Sequence, residues 1–345
     1  MNIKVKLILI VILTAFSTKV RAQDPVFTEF FAVPETLNPG FTGFETSWHA
    51  GLLHRRQWPN GNRRIDTEFA FLNNMVTDRA AVGITILNHR EVFTNYNYTQ
   101  INGVYSYSIS LNDEWGFCPG LEVGWGNKNV DFSNLLLEDQ ININTGAING
   151  GSVDPGFLRN NDKIDFLDVS AGFVINNETA WFGAALKHLN RPNISFTENG
   201  NVQLDMFLTV HGGYYFELDD TPLSFFPQDS RIMVMANYMR QSQYNRLDIG
   251  GAFEAGYFTI GAIAATNPER KSTYSHFITS INPFASFKLG EFTFGYSYDL
   301  NTSRLGNTQG VHELSLIWTS RYVCNTCDNY KVKLKRNGDA GYQRN

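Results

Sequence analysis

Hydrophobic and polar residues alternate along most of this chain with a period of two. In "EFTFGYSYDL", residues 291–300, Phe292, Phe294, Tyr296, Tyr298 and Leu300 fall on one side. Glu291, Thr293, Gly295, Ser297 and Asp299 fall on the other. Successive side chains of a β-strand point to opposite faces, so the pattern predicts a strand with one apolar and one polar face. "TQINGVYSYSISL" and "EWGFCPGLEVGW" read the same way, and "NVQLDMFLTVHGGYYFEL" predicts a single long strand over 201–218. Its polar side carries Asn201, Gln203, Asp205, Thr209, His211 and Glu217. A sandwich core would not tolerate such a face, whereas a polar lumen would.

The turns between these runs predict fourteen strands: 47–58, 63–72, 79–88, 98–111, 114–125, 166–175, 178–188, 201–218, 230–241, 246–254, 257–265, 275–289, 291–300 and 310–319. Connections after even-numbered strands are mostly tight, such as "ND" at 112–113 and "EAG" at 254–256, with "DDTPLSFFPQDS" the longer exception. Those after odd-numbered strands are mostly longer, including "NHREVFTNY", "NRPNISFTENG" and a stretch over 126–165. An even number of antiparallel strands, with tight turns on one side and long loops on the other, is the organisation of an outer-membrane β-barrel. The expected fold is therefore an all-β transmembrane barrel over 47–320, its apolar face towards lipid and both chain ends periplasmic. Trp48, Trp58, Trp115, Trp125, Trp181 and Trp318 lie in or at the ends of predicted strands, where interfacial girdles would put them. Pro119 and Pro283 fall inside strands and predict local bulges or slips of register.

The amino terminus fits an exported protein. Lys4 and Lys6 precede the apolar run "LILIVILTAF", and Val20-Arg21-Ala22 precede Gln23. This reads as a signal peptide over 1–22, its apolar run being too short to span a bilayer. Beyond it, 24 basic residues stand against 33 acidic ones, a net charge of −9 that argues against nucleic acid as a partner. Residues 23–46, rich in Phe and Pro, are expected to tuck into the barrel or its lower rim, filling the lumen from below. Residues 321–345 form a basic tail of net charge +4, read as a solvated periplasmic end or a docking arm for an acidic partner.

Candidate chemistry is sparse. The chain after Gln23 has no GxSxG, HExxH, P-loop or GxGxxG pattern, and its seven histidines are scattered singly. No enzyme, cofactor or metal is expected, although Asp and His could still be assembled at a barrel rim. Cys324 and Cys327 form a CNTC pair that fits a small disulfide loop, a redox site or half of a metal site. A structural disulfide or two incidental thiols is the expectation, because one pair supplies only two ligands. Cys118 sits in the polar register of its strand.

Three stretches carry a family resemblance: "AQDPVFTEFFAVPETLNPGFTG", "HRRQWP" and "SYDLNTSRLGNTQGVHELSL". They resemble the PorP/SprF family of type IX secretion system membrane proteins over nearly all of residues 23–319. The most specific matches include Asn38, Pro39, Arg55, Gln57, Trp58, Asp299, Asn301, His312 and Glu313. Gly40-Phe41-Thr42-Gly43 departs from the family pattern, as does the continuation past the last strand. The resemblance implies an outer-membrane barrel of Gram-negative bacteria, some of which glide. Such a barrel partners either the secretion machinery at large or one surface protein, including very large adhesins. The expected role is the second, with the 126–165 loop as a cargo-facing surface. The alternatives are a core component coupled to periplasmic rings and peptidoglycan-binding proteins, or a solute porin. Glu122, Asp205, Glu217, Asp248, Glu254 and Asp299 would bias such a porin towards cations.

Overall fold

The computed structural model describes residues 23–45, 48–59, 63–131, 140–142, 145, 147–148, 162–218, 227, 230–269, 276–302 and 309–320. The signal-peptide reading, the CNTC pair, the basic tail and most of the 126–165 loop lie outside them.

Fourteen antiparallel strands follow one another around a closed ring. They are β1 (His49–Gln57), β2 (Ile65–Met75), β3 (Ala80–Glu91), β4 (Tyr96–Tyr107, continued by Ile109–Ser110), β5 (Gly116–Val130), β6 (Lys163–Asn176) and β7 (Ala180–Lys187). The second half comprises β8 (Phe207–Glu217), β9 (Arg231–Gln241), β10 (Tyr244–Ala255), β11 (Phe258–Thr266), β12 (Ile278–Leu289), β13 (Phe292–Asn301) and β14 (Val311–Thr319). Each strand pairs with its neighbours in sequence, and β1 closes the ring on β14 from His49↔Thr319 to Gln57↔Val311. Closure matters because lipid offers no partner for a bare strand edge. No described helix is long and apolar enough to cross a membrane.

The alternation is inside-out relative to a water-soluble sheet. Along β13, Phe292, Phe294, Tyr296 and Leu300 are exposed while Gly295, Ser297 and Asp299 are buried. On β4, Ile101 and Tyr105 point out while Gln100, Asn102 and Ser106 point in. Apolar side chains outside and buried polar ones inside identify the outer face as the lipid face.

The prolines act as expected of residues without an N–H. Beside Pro119, the β4–β5 ladder breaks between Ser106↔Gly120 and Ile109↔Phe117. Beside Pro283, the β12–β13 ladder skips from Ile281↔Leu300 to Phe284↔Ser297.

Three expectations need correction. The 18-residue strand over 201–218 is only Phe207–Glu217. Its alternating start belongs to the β7–β8 connection, which folds back through Ile194 N–H to Val202 O at 2.7 Å and Leu204 N–H to Pro192 O at 2.9 Å. Leu204 is buried there with Ile194, Tyr98 and Phe166, so its apolar character reflects a local cluster and not a lipid face. "NHREVFTNY" is mostly strand: His89, Arg90 and Glu91 pair with Tyr98, Asn97 and Tyr96, leaving a turn over 92–95. Polar strand tips beyond an apolar belt look like loop in sequence. Finally, Trp181 faces the lumen, packed on Tyr215 at 5.6 Å between ring centroids.

Candidate functional site: a filled lumen

Residues 23–45 run through the barrel from one rim to the other. At the rim bearing most of the long connections, Asp24 N–H donates to the side-chain oxygen of Gln241, the last residue of β9, at 2.8 Å. The Asp24 carboxylate lies 2.5 Å from Nε2 of His188, the residue after β7. At the tight-turn rim, Gly43 lies against Ala81 near the start of β3 and Met75 at the end of β2. Both chain ends were expected on the tight-turn side. Thr319 lies there, opposite His49, but Asp24 lies at the other rim.

The segment's local form follows from its sequence. Two short 3-10 turns, Pro34–Thr36 and Pro39–Phe41, begin at prolines, whose missing N–H costs nothing at a first helical position. Asn38 caps the second turn through its side-chain oxygen, which accepts from Gly40 N–H at 2.8 Å. The other end of that amide donates to Phe173 O at 2.9 Å and Ala184 O at 3.2 Å, and lies 3.0 Å from His211 Nε2. One buried Asn thus ties the turn to β6, β7 and β8. The close fit requires small residues: a Cβ on Gly120 would fall 2.4 Å from the Pro39 carbonyl carbon.

Apolar side chains of the segment complete two lumenal clusters. Phe27 and Val33 join Leu53, Phe69, Phe71 and Ile317, while Phe30 and Leu37 join Tyr215, Met233 and Phe284 among others. Phe31 packs on Phe284 at 4.2 Å between centroids. Two residual cavities beside the segment hold about 20 Å³ each, roughly the space of one water.

The polar centre of the site is a buried arginine–carboxylate knot. The Arg55 guanidinium on β1 donates to Glu313 on β14, to Asp299 on β13 at 3.0 Å and to Thr28 Oγ1 at 3.4 Å. Glu313 also accepts the backbone N–H groups of Thr28 at 2.8 Å and Glu29 at 2.9 Å. The Thr28 hydroxyl donates to Asp299 at 2.8 Å. All of these residues are buried. One arginine therefore holds the closing seam and, through shared carboxylates, the segment inside it.

A second polar cluster holds the segment's outer end. His188 bridges Asp24 and Asp168, with Nδ1 2.9 Å from the Asp168 carboxylate. Gln100 donates to Asp168 at 2.7 Å, and Lys128 lies over the Tyr98 ring. Burial acts to raise Asp24, but His188, with Lys128 and Lys187 behind it, holds that carboxyl at about 2. Burial acts to lower His188, but Asp24 and Asp168 hold the imidazole up at about 9.

The structure sorts the motif residues into two groups. Asn38, Pro39, Arg55, Asp299 and Glu313 converge in the lumen, with Gln57 accepting from Arg55 Nε at 3.4 Å. Trp58, Asn301 and His312 do not join them. Trp58 and Asn301 are exposed at the long-connection rim, and His312 packs beneath the Tyr298 ring on the outer face. Sequence reasoning missed Asp24, Thr28, Glu29, Asp168 and His188. The one available signal was the polar register of β6, because the partners lie on segments without periodicity. Cys118 is buried beside Ser108.

Of the six acidic residues expected on the lumen face, three pair closely with arginines, and Glu122 is buried on β5. Asp248 pairs with Arg246 at 2.7 Å, Glu254 with Arg231 at 2.5 Å and Asp299 with Arg55. Asp205 lies in the β7–β8 connection, 3.6 Å from Arg191, and Glu217 is exposed at a strand end.

The sequence model of the family described as "Type IX secretion system membrane protein PorP/SprF" matches residues 19–318. No relative was found among the curated proteins compared. Among solved structures, a Pseudomonas aeruginosa FadL homologue has a TM-score of 0.43 at 11% identity, covering 82% of this chain and 92% of that one. The P. putida toluene transporter TodX gives 0.45 at 9%, covering 83% and 93%. Acinetobacter baumannii Omp33 gives 0.40 at 7%, covering 81% and 100%.

Proposed function

The chain belongs to the type IX secretion system membrane protein PorP/SprF family, and from that membership we propose that this outer-membrane barrel supports secretion and surface attachment of one specific cargo protein, a large adhesin. The barrel acts as a membrane-embedded platform and performs no catalysis. A signal peptide over 1–22 delivers it, and its long connections face outwards to meet the cargo.

The observation that carries this reading is the filled lumen. Residues 23–45 occupy it from rim to rim, and Asp248, Glu254 and Asp299 on its wall are paired with arginines. A porin needs a continuous watery path and weak sites along it. A packed interior suits a rigid scaffold that binds with its rim.

The test is deletion of the gene, followed by comparison of the surface-exposed and secreted proteomes and of surface motility with the parent strain. Loss of one large surface protein, with other cargo still exported, is the expected result. Loss of all type IX cargo would instead make the protein a core component tied to the periplasmic ring. No change in either would sink the secretion role.

A further inference from the structure

The lumenal segment enters β1 at the tight-turn rim, and cleavage of the proposed signal peptide after Ala22 would leave its new end at the opposite rim. We propose that this end, Gln23–Asp24, is displayed at the cell surface as part of the mouth that meets the secreted partner. This rests on the reading of the long connections as outward-facing, which is how outer-membrane barrels are built.

The geometry is specific about the rim. Three groups fix Asp24: His188 after β7, Gln241 at the end of β9 and, through His188, Asp168 on the upper half of β6. Deeper in the barrel, Thr28 and Glu29 meet Glu313, near the start of β14. Near the far rim, Glu35 accepts from Asn73 towards the end of β2 at 3.0 Å, and Gly43 touches Ala81. The two ends of the described segment therefore lie at opposite rims, Asp24 beside His188 and Gly43 beside Ala81, while the Thr36 and Leu37 carbonyls between them accept from Lys187 and Thr209. Gln23 is exposed where this path ends. The mouth around it presents Asn190, Arg191 and Asp205, whose side chains are polar or charged. A partner docking on this rim would touch the chain end itself, and that contact would bear directly on the Asp24–His188 clasp.

Single cysteines in a background carrying Cys118→Ala, Cys324→Ser and Cys327→Ser test the placement, read with a membrane-impermeant PEG-maleimide on intact and permeabilised cells. Ser195→Cys reports the long connections, Glu178→Cys the tight turns and Pro25→Cys the chain end. A short epitope inserted between Gln23 and Asp24 gives a second readout by antibody binding to intact cells. The expected result is reaction of Ser195→Cys and Pro25→Cys, and antibody binding, on intact cells, with Glu178→Cys reacting only after permeabilisation. Labelling of Ser195→Cys with neither Pro25→Cys labelling nor antibody binding would overturn the proposal while leaving the barrel's orientation intact. Labelling of Glu178→Cys but not Ser195→Cys on intact cells would overturn the orientation and the proposal together.

Discussion

Arg55 shows how much one residue can carry in a polar lumen. It bonds Glu313 and Asp299, and those carboxylates in turn hold Thr28 and Glu29. Arg55→Ala would leave two buried carboxylates without their cation, a loss on the order of 3–5 kcal/mol for a buried pair. The expected outcome is a lower temperature for the loss of heat-modifiable mobility on gels of the purified barrel. Arg55→Lys should recover only part of it, since an ammonium cannot reproduce the planar fork. pH acts at the same scale. His188, raised to about 9, contributes stability that is complete below its ordinary value near 6.5 and lost as pH rises through 9. Asp24, held at about 2, loses its contribution only as pH falls through that value. The segment's grip at Asp24 is therefore expected to weaken as pH rises from about 6.5 through 9. The ratio of Pro25→Cys to Ser195→Cys labelling should rise over that range, and the rise should be smaller with His188→Asn. None of this was legible in the sequence beyond the motif residues themselves. Asp299 and Glu313 were visible as polar positions on apolar strands, but their partners in 23–45 come from a stretch with no period to read.

At the scale of elements, strands were legible wherever one face met lipid. Leu52, Ile84, Ile101, Leu121 and Phe294 all stand exposed in the register that alternation predicts. Legibility failed where that solvent was absent. Val202 and Leu204 keep the period but belong to a fold-back loop, and His89–Glu91 show no apolar alternation yet pair as strand. The lumenal segment could be read as too apolar for a free tail, while its path could not, because close backbone contact leaves only glycines as a trace. Gly120 is such a trace. Replacing it with Leu would drive a side chain into the Pro39 backbone, which cannot yield as a side-chain tip can. The turn over Pro39–Phe41 should then be displaced from β5, seen as new proteolytic cleavage within 23–45 in a barrel that still forms.

For the whole molecule, the filled lumen makes a prediction about permeation. The purified barrel should be nearly silent in a planar lipid bilayer, and deletion of residues 24–42 should produce steady conductance. Equal conductance from both proteins would show that the segment does not seal the lumen. The wall itself does not require the segment for its hydrogen bonds, since every described strand pairs with two neighbours.

The path of residues 23–45 also constrains the order in which the molecule can be made. Thr28 and Glu313 are 285 positions apart in the chain, and the seam they share joins the first strand to the last. Contacts of such separation form late, because the intervening chain must first be ordered. A segment that spans a closed ring is most easily enclosed by winding the ring around it. Closure of β1 on β14 is thus the step that traps the segment, and a barrel that closed too early would be left with its filler outside.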